Sequence, residues 1–236
     1  MQASELMPSA PAKKDKQSPP PPMGGPFAPL PALLAGASGD VLEIGPGSGL
    51  SLPFFTPERV RTYTAIEPAG GLHEALRLSA SSAGLDNKLR TLECGAEGGS
   101  LLPALEKSGV STLSTKAESY AGQCFDTIVS IRSLCSIPDP AKSIEMHYAL
   151  LRPGGRYIIC EHVINPWPEH RGSCLGKFMQ LFYTALGWPY FVGGCKLTQD
   201  TIGMLEKAGK WESVELQRDT DWAALPWVTG VFVKSM

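Results

Sequence analysis

The run Glu43-Ile44-Gly45-Pro46-Gly47-Ser48-Gly49 carries the densest chemical signal in the chain. Three glycines at alternate positions follow the β-rich stretch Val41 to Ile44. Glycine takes up positive φ at little cost and lets a ligand lie against bare backbone. The start of a following helix presents free N–H groups that favour an anionic group. Two common loop chemistries fit poorly. The dinucleotide pattern G-x-G-x-x-G is met at Gly45 and Gly47 but has Leu50 at its third glycine. A phosphate-cradling P-loop needs Gly-Lys-Ser/Thr, which is absent. For proton transfer there are four histidines. His162 ends a strand on the ligand side and is the candidate to act on a substrate, the alternative being a structural histidine bonded to backbone. His147 reads as structural, His73 as facing its own helix, and His170 as part of an exposed loop. Arg132 suits either a substrate carboxylate or a surface salt bridge. Cys135 and Cys195 read as packing thiols.

These residues depend on strands and helices in alternation from Asp40 onward. Val41–Ile44 and Val60–Ile66 read as strands. Gly70 to Ala83 has helical apolar spacing, with Gly84 where a terminating glycine belongs. Lys88–Glu93 is a third strand. Residues 95 to 122, rich in Gly, Ser and Thr, read as a surface excursion with a short helix near Leu101–Lys107. Phe125–Ile131 is a continuous apolar run, as expected of a strand buried on both faces. Asp139 is expected to cap a helix that opens on Pro140 and stops at Pro153-Gly154-Gly155. Arg156–Cys160 follows as the fifth strand. Thr198 is expected to cap a helix that reaches Ala208. Trp211–Gln217 and Val228–Val233 form a closing hairpin. Strands alternating with helices imply right-handed crossovers and a doubly wound α/β sheet. The sheet is therefore expected to be Rossmann-like, mostly parallel, with one antiparallel edge strand. Residues 172–194 break the alternation. They hold Phe178, Phe182, Tyr183, Trp188, Tyr190 and Phe191, and are expected to pack over the mouth of the sheet, either as a substrate wall or as ordinary core packing or a dimer contact.

The spacing E-x-G-x-G-x-G resembles the first motif of class I S-adenosylmethionine-dependent methyltransferases. Phe125-Asp126-Thr127-Ile128-Val129-Ser130 resembles that family's fourth strand, and Leu150-Leu151-Arg152-Pro153-Gly154-Gly155-Arg156 its helix-to-strand turn. The resemblance covers about residues 38 to 165. It implies S-adenosyl-L-methionine as cofactor. Glu43, Gly45, Gly47 and Gly49 would shape the methionine end. Glu67, eighteen residues past Gly49, would accept both ribose hydroxyls. Pro68 follows it, Ala96 and Glu97 would lie near the adenine, and Ser130 and Ile131 would border the cofactor from the fourth strand. A narrower likeness joins Leu134-Cys135-Ser136, Glu161-His162-Val163 and Gly194-Cys195-Lys196-Leu197-Thr198. These segments look like the methyltransferase-like group that includes alkyl-thiol S-methyltransferases. A thiol acceptor is implied, with N- or O-methylation of a secondary metabolite as the alternative. Two further classes stay open: a nicotinamide-dependent oxidoreductase, and a non-catalytic partner subunit.

Composition narrows the partners. The chain has 236 residues, 43% hydrophobic and 19% charged, with 21 Lys+Arg against 23 Asp+Glu. That is ordinary globular material with no basic excess, so nucleic acid is not expected as a partner and a small molecule is. No stretch approaches the roughly 20 apolar residues of a transmembrane segment. Nine of the 21 prolines fall between Pro8 and Pro31. Residues 1–28 are therefore expected to be a disordered Pro-rich tail, and 29–236 the methyltransferase domain. The six cysteines include no C-x-x-C pair, so no metal site is expected and a cytoplasmic setting with reduced thiols is. Oligomeric state is not legible.

Overall fold

The computed structural model describes residues 24–110, 123–169 and 171–236. The elements run in chain order as α1 (Leu30–Ala35), β1 (Gly39–Ile44), β2 (Val60–Ile66), α2 (His73–Ser82), β3 (Leu89–Leu92), α3 (Gly98–Lys107) and β4 (Phe125–Ile131), then α4 (Pro140–Leu150), β5 (Leu151–His162), α5 (Cys174–Ala185), α6 (Trp188–Phe191), α7 (Thr201–Lys207), β6 (Trp211–Asp219) and β7 (Trp227–Lys234). The seven strands form one sheet in the order β3-β2-β1-β4-β5-β7-β6. β1 pairs in parallel with β2 and β4 at the point where the winding reverses. In such sheets ligands bind beyond the carboxyl ends of the strands at that reversal. The antiparallel strand expected at the far side is β7, which runs against both β5 and β6 and stands one place in from the edge.

Side chains alternate across the pleat and build two apolar layers. From β1, Leu42 and Ile44 join Leu101, Leu105, Ile144, Leu150 and Leu205 on one face. Val41 joins Leu34, Leu76 and Ala80 on the other. Each fully buried Leu or Ile here contributes about 1.5–3 kcal/mol. The Gly84 stop is present. Its φ is +72°, and Leu85 N bonds back to the Ala80 carbonyl at 2.8 Å, closing the helix as a Schellman-type turn.

Several expectations change. The ordered chain begins before residue 29. Gly25–Phe27 forms a 3-10 turn, Thr229 Oγ1 donates to the Pro26 carbonyl at 2.6 Å, and the Phe27 ring lies 5.1 Å from that of Trp227. Apolar and hydrogen-bonded contacts with β7 thus hold residues that a proline count assigns to a tail. The rest of that tail, residues 1–23, lies outside the described residues, as do residues 111–122 of the surface excursion and His170. Asp139 makes no side-chain cap; its carboxylate pairs with Lys142 at 2.9 Å instead. α7 begins at Thr201 rather than after Thr198, because the Asp200 carboxylate takes the capping bond from Gly203 N at 3.0 Å. β5 reaches back to Leu151 and on to His162, through Pro153-Gly154-Gly155. Among the described residues no helix is long and apolar enough to cross a membrane.

Candidate active site

All three glycines of the loop after β1 need their lack of a side chain, for different reasons. Gly45, Gly47 and Gly49 have φ of +63°, +60° and +85°. A Cβ on Gly49 would lie 2.6 Å from Leu52 and 2.9 Å from Ser79, so Gly49 packs the loop down onto α2. A Cβ on Gly47 would meet nothing within 4 Å, so Gly47 presents bare backbone to open space. The carboxylate of Glu67, at the tip of β2, accepts hydrogen bonds from Gly47 N at 3.0 Å and Ala69 N at 2.9 Å. Glu67 is 6% exposed. It therefore braces the glycine loop, and each oxygen keeps a further lone pair. His73 turns inward rather than along its helix, with Nε2 2.8 Å from the Glu67 carbonyl.

Glu43 is buried below the loop. Its carboxylate accepts from Ser51 Oγ at 2.9 Å and from the Tyr63 hydroxyl. Burial outweighs these bonds and lifts its pKa to about 7. The same burial, with Glu43 beside it, holds the Tyr63 phenol well above its ordinary value.

A cleft of about 770 Å³ opens above the carboxyl ends of β1, β4 and β5, mostly apolar in its lining. That is the size of a small-molecule site. Of the residues expected at a cofactor or substrate, Glu43, Gly45, Gly47, Ile131 and His162 line it. Gly49 lies under the loop, Glu67 behind it, and Pro68 is exposed. Ser130 is buried and donates to Glu161 at 2.7 Å. Ala96 and Glu97 sit at the start of α3, outside the cleft lining. The Ala96 carbonyl faces His147 Nε2 at 3.0 Å, and Glu97 accepts from Ser100 Oγ at 2.7 Å. His147 is structural as expected: its Nδ1 faces the Tyr157 hydroxyl at 3.1 Å, and burial lowers its pKa to about 4.

The aromatic segment is mostly not a wall. Trp188 and Val192 line the cleft, but Phe178, Phe182, Tyr190 and Phe191 face outward. The reason lies in Gln180, which is fully buried and bonds Asn165 N, the Val163 carbonyl and the Ala224 carbonyl. It turns a polar face of α5 inward and leaves the aromatic face exposed. Arg132 lines the cleft with a φ of +58°, and its guanidinium lies over the Phe27 ring at 5.8 Å. Among the described residues no salt bridge holds it.

Cys135 and Cys195, read as packing thiols, flank the candidate His162. His162 Nε2 lies 3.0 Å from Cys195 Sγ, and Trp188 Nε1 donates to the same sulfur at 3.4 Å. One ligand atom from each of Cys135, His162 and Cys195 falls within 4.8 Å of the others. All three line the cleft that the glycine loop borders. The neighbouring Cys135 thiol, then the contacts from His162 and Trp188, hold Cys195 below the ordinary thiol pKa, while Cys195 and burial raise Cys135. Sixty residues separate the two cysteines in sequence, so no local motif marks the pair. The signal in the sequence is the likeness of the short segments around Cys135, His162 and Cys195 to the alkyl-thiol S-methyltransferase group, which says nothing of their meeting.

A family model described as a methyltransferase domain matches residues 25–192. The human thiol S-methyltransferase TMT1B is 29% identical over 189 residues, covering 78% of this chain and 66% of that protein; this chain thus spans just under two thirds of that relative. A geranyl diphosphate methyltransferase solved in complex with SAM superposes with a TM-score of 0.58 at 13% identity, covering 87% of this chain and 82% of that one. The [4+2]-cyclase SpnF also gives 0.58, at 15% identity, covering 88% and 80%, so the fold by itself leaves the chemistry open. With residues 25–192, about seven tenths of its length, matched to the family model, this chain belongs to the methyltransferase domain family.

Proposed function

We propose that this protein is an S-adenosyl-L-methionine-dependent methyltransferase of small molecules, with a thiol as acceptor. The observation that carries the reading is the single cleft bordered by the bare backbone of Gly45–Gly47 on one side and by Cys135, His162 and Cys195 on the other. The residues fit the cofactor. Gly47 leaves open space against its backbone, and Glu67 is a buried carboxylate fixed at the neighbouring strand tip. When bound, the cofactor supplies a methyl group activated on a sulfonium. The chain's own part is to orient and to keep water out. Trp188, Val192, Leu225 and Trp227 give the cleft an apolar wall. Such a wall disfavours separated ions and so favours the merging of a thiolate with a sulfonium. The 29% identity with a protein named as a thiol S-methyltransferase supports the choice of acceptor.

Calorimetric titration with S-adenosylhomocysteine tests the cofactor. Binding is expected, and Glu67→Ala is expected to weaken it because the Gly47 loop loses its brace. No binding to the intact protein overturns the reading. Methyl transfer from labelled cofactor to panels of small thiols, amines and phenols tests the acceptor. Thiols are expected to be methylated, and transfer to amines or phenols alone would replace the thiol assignment.

A further inference from the structure

Three soft or borderline donors converge on the cleft from three separate elements. Cys135 comes from the 3-10 turn Leu134–Ser136 after β4, His162 from the end of β5, and Cys195 from the loop after α6. The turn and the loop are locked together, since Lys196 N donates to the Cys135 carbonyl at 2.9 Å. The turn is also fixed from below by Glu161, whose carboxylate accepts from Ser133 N at 3.0 Å and Leu134 N at 3.2 Å. The three donors are therefore preorganised. They are also nearly out of water, at 3%, 5% and 6% exposure. On the imidazole, Nε2 faces Cys195 Sγ, and Nδ1 is buried with no partner among the described residues. Two thiols and an imidazole, each from a different element, thus share one dry corner. Sulfur and imidazole nitrogen are the donors that a borderline-soft divalent cation such as zinc takes.

We propose that Cys135, His162 and Cys195 form a zinc site whose open fourth position faces the cleft and takes the substrate's thiolate. The donor set is that of a catalytic zinc site, with three protein ligands and one exchangeable place. A tetrahedral ion with zinc–sulfur bonds of about 2.3 Å and zinc–nitrogen bonds of about 2.0 Å spaces the two sulfurs roughly 3.8 Å apart and each sulfur roughly 3.5 Å from the nitrogen. The cluster, already within 4.8 Å, reaches that by small side-chain rotations. The Trp188 indole N–H at 3.4 Å supplies the outer hydrogen bond to a ligating sulfur. A substrate thiol entering the fourth position displaces water, and its proton leaves to solvent, so the acceptor is a thiolate at neutral pH without a side-chain base. The role at the substrate rests on the thiol-methyltransferase reading; the ligand set does not.

The test uses the full chain, purified under a phosphine reductant. Zn²⁺ is expected to bind at one equivalent, and Co²⁺ in its place to show tetrahedral d–d bands with a thiolate-to-metal charge-transfer band. Cys135→Ser and Cys195→Ser are each expected to weaken Zn²⁺ binding at least about tenfold, while Cys174→Ser, at an exposed position, leaves it unchanged. Should a serine variant fail to fold, alkylation of the wild-type chain decides. Zn²⁺ is expected to protect Cys135 and Cys195 from iodoacetamide, with Cys174 labelled throughout. No stoichiometric Zn²⁺ in the wild type, or equal labelling of Cys135 and Cys195 with and without Zn²⁺, overturns the proposal. S-adenosylhomocysteine titration is run on the same samples. Its failure removes the methyltransferase reading and leaves the metal result standing, and the reverse holds equally.

Discussion

Two glycines of one loop separate folding from binding. Gly49→Ala drives a Cβ into Leu52 and Ser79 and is expected to cost about 1–3 kcal/mol of stability. Gly47→Ala meets open space. It is expected to cost only about 1–2 kcal/mol through its positive φ but to lower S-adenosylhomocysteine affinity severalfold, because the methyl stands on the backbone that faces the cleft. Denaturant melts and calorimetry on both variants separate the two effects. Glu43 gives a pH signature. Its folded pKa of about 7 lies above the ordinary 4.5. Its contribution to stability is therefore whole below about pH 4.5 and is lost as the pH rises through 7. Glu43→Gln keeps an acceptor for Tyr63 and Ser51. It is expected to raise stability by up to about 3 kcal/mol near pH 8 and to flatten the profile from pH 5 to 8 in thermal melts. The glycine loop was legible as a motif because its chemistry is written in adjacent residues. What its carboxylate neighbours do was not, because burial sets that.

Between elements, His147 joins α4 to the turn that opens α3. Its ring bridges the Tyr157 hydroxyl and the Ala96 carbonyl. Its folded pKa of about 4 lies below the ordinary 6.5, so its stability is whole above about pH 6.5 and is lost as the pH falls through 4. His147→Gln is expected to remove that acid-side loss while weakening the native state by about 1–3 kcal/mol at neutral pH. Urea titrations at both pH values check the crossing of the two curves. Strands and helices were largely legible, because hydrophobic period and glycine stops are local. Caps were less so: Asp200 rather than Thr198 starts α7, since a competing carboxylate two residues on offers the better acceptor. Phe27 and Pro26 could not be assigned to the fold from composition, because β7, some 200 residues away, supplies their partners.

At the scale of the molecule, α5 is attached by its polar side. Gln180→Ala strands several buried partners and is expected to cost about 2–4 kcal/mol. Phe178→Ser, at an exposed position, is expected to shift stability by no more than about 0.5 kcal/mol. Chemical denaturation of the pair decides whether the polar or the aromatic face holds the helix. The charges at the amino ends of the strands form a second global feature. Asp40 and Asp126 meet Arg61 and Arg152 at 2.6–3.0 Å. The Arg61 guanidinium chiefly holds Asp40 down to about 2, so this anchoring survives until strongly acid pH.

The sequence by itself determined the winding of the sheet, the glycine loop and the acid at the second strand tip. Each follows from periodicity and short-range backbone chemistry, which neighbouring residues encode. Only the tertiary structure decided that Cys135 and Cys195 meet at His162, that the aromatic face of α5 points away from the cleft, and that Glu67 braces Gly47. Those outcomes depend on which distant segments share a dry volume, and hydrophobic packing sums over the whole chain before any one side chain is placed.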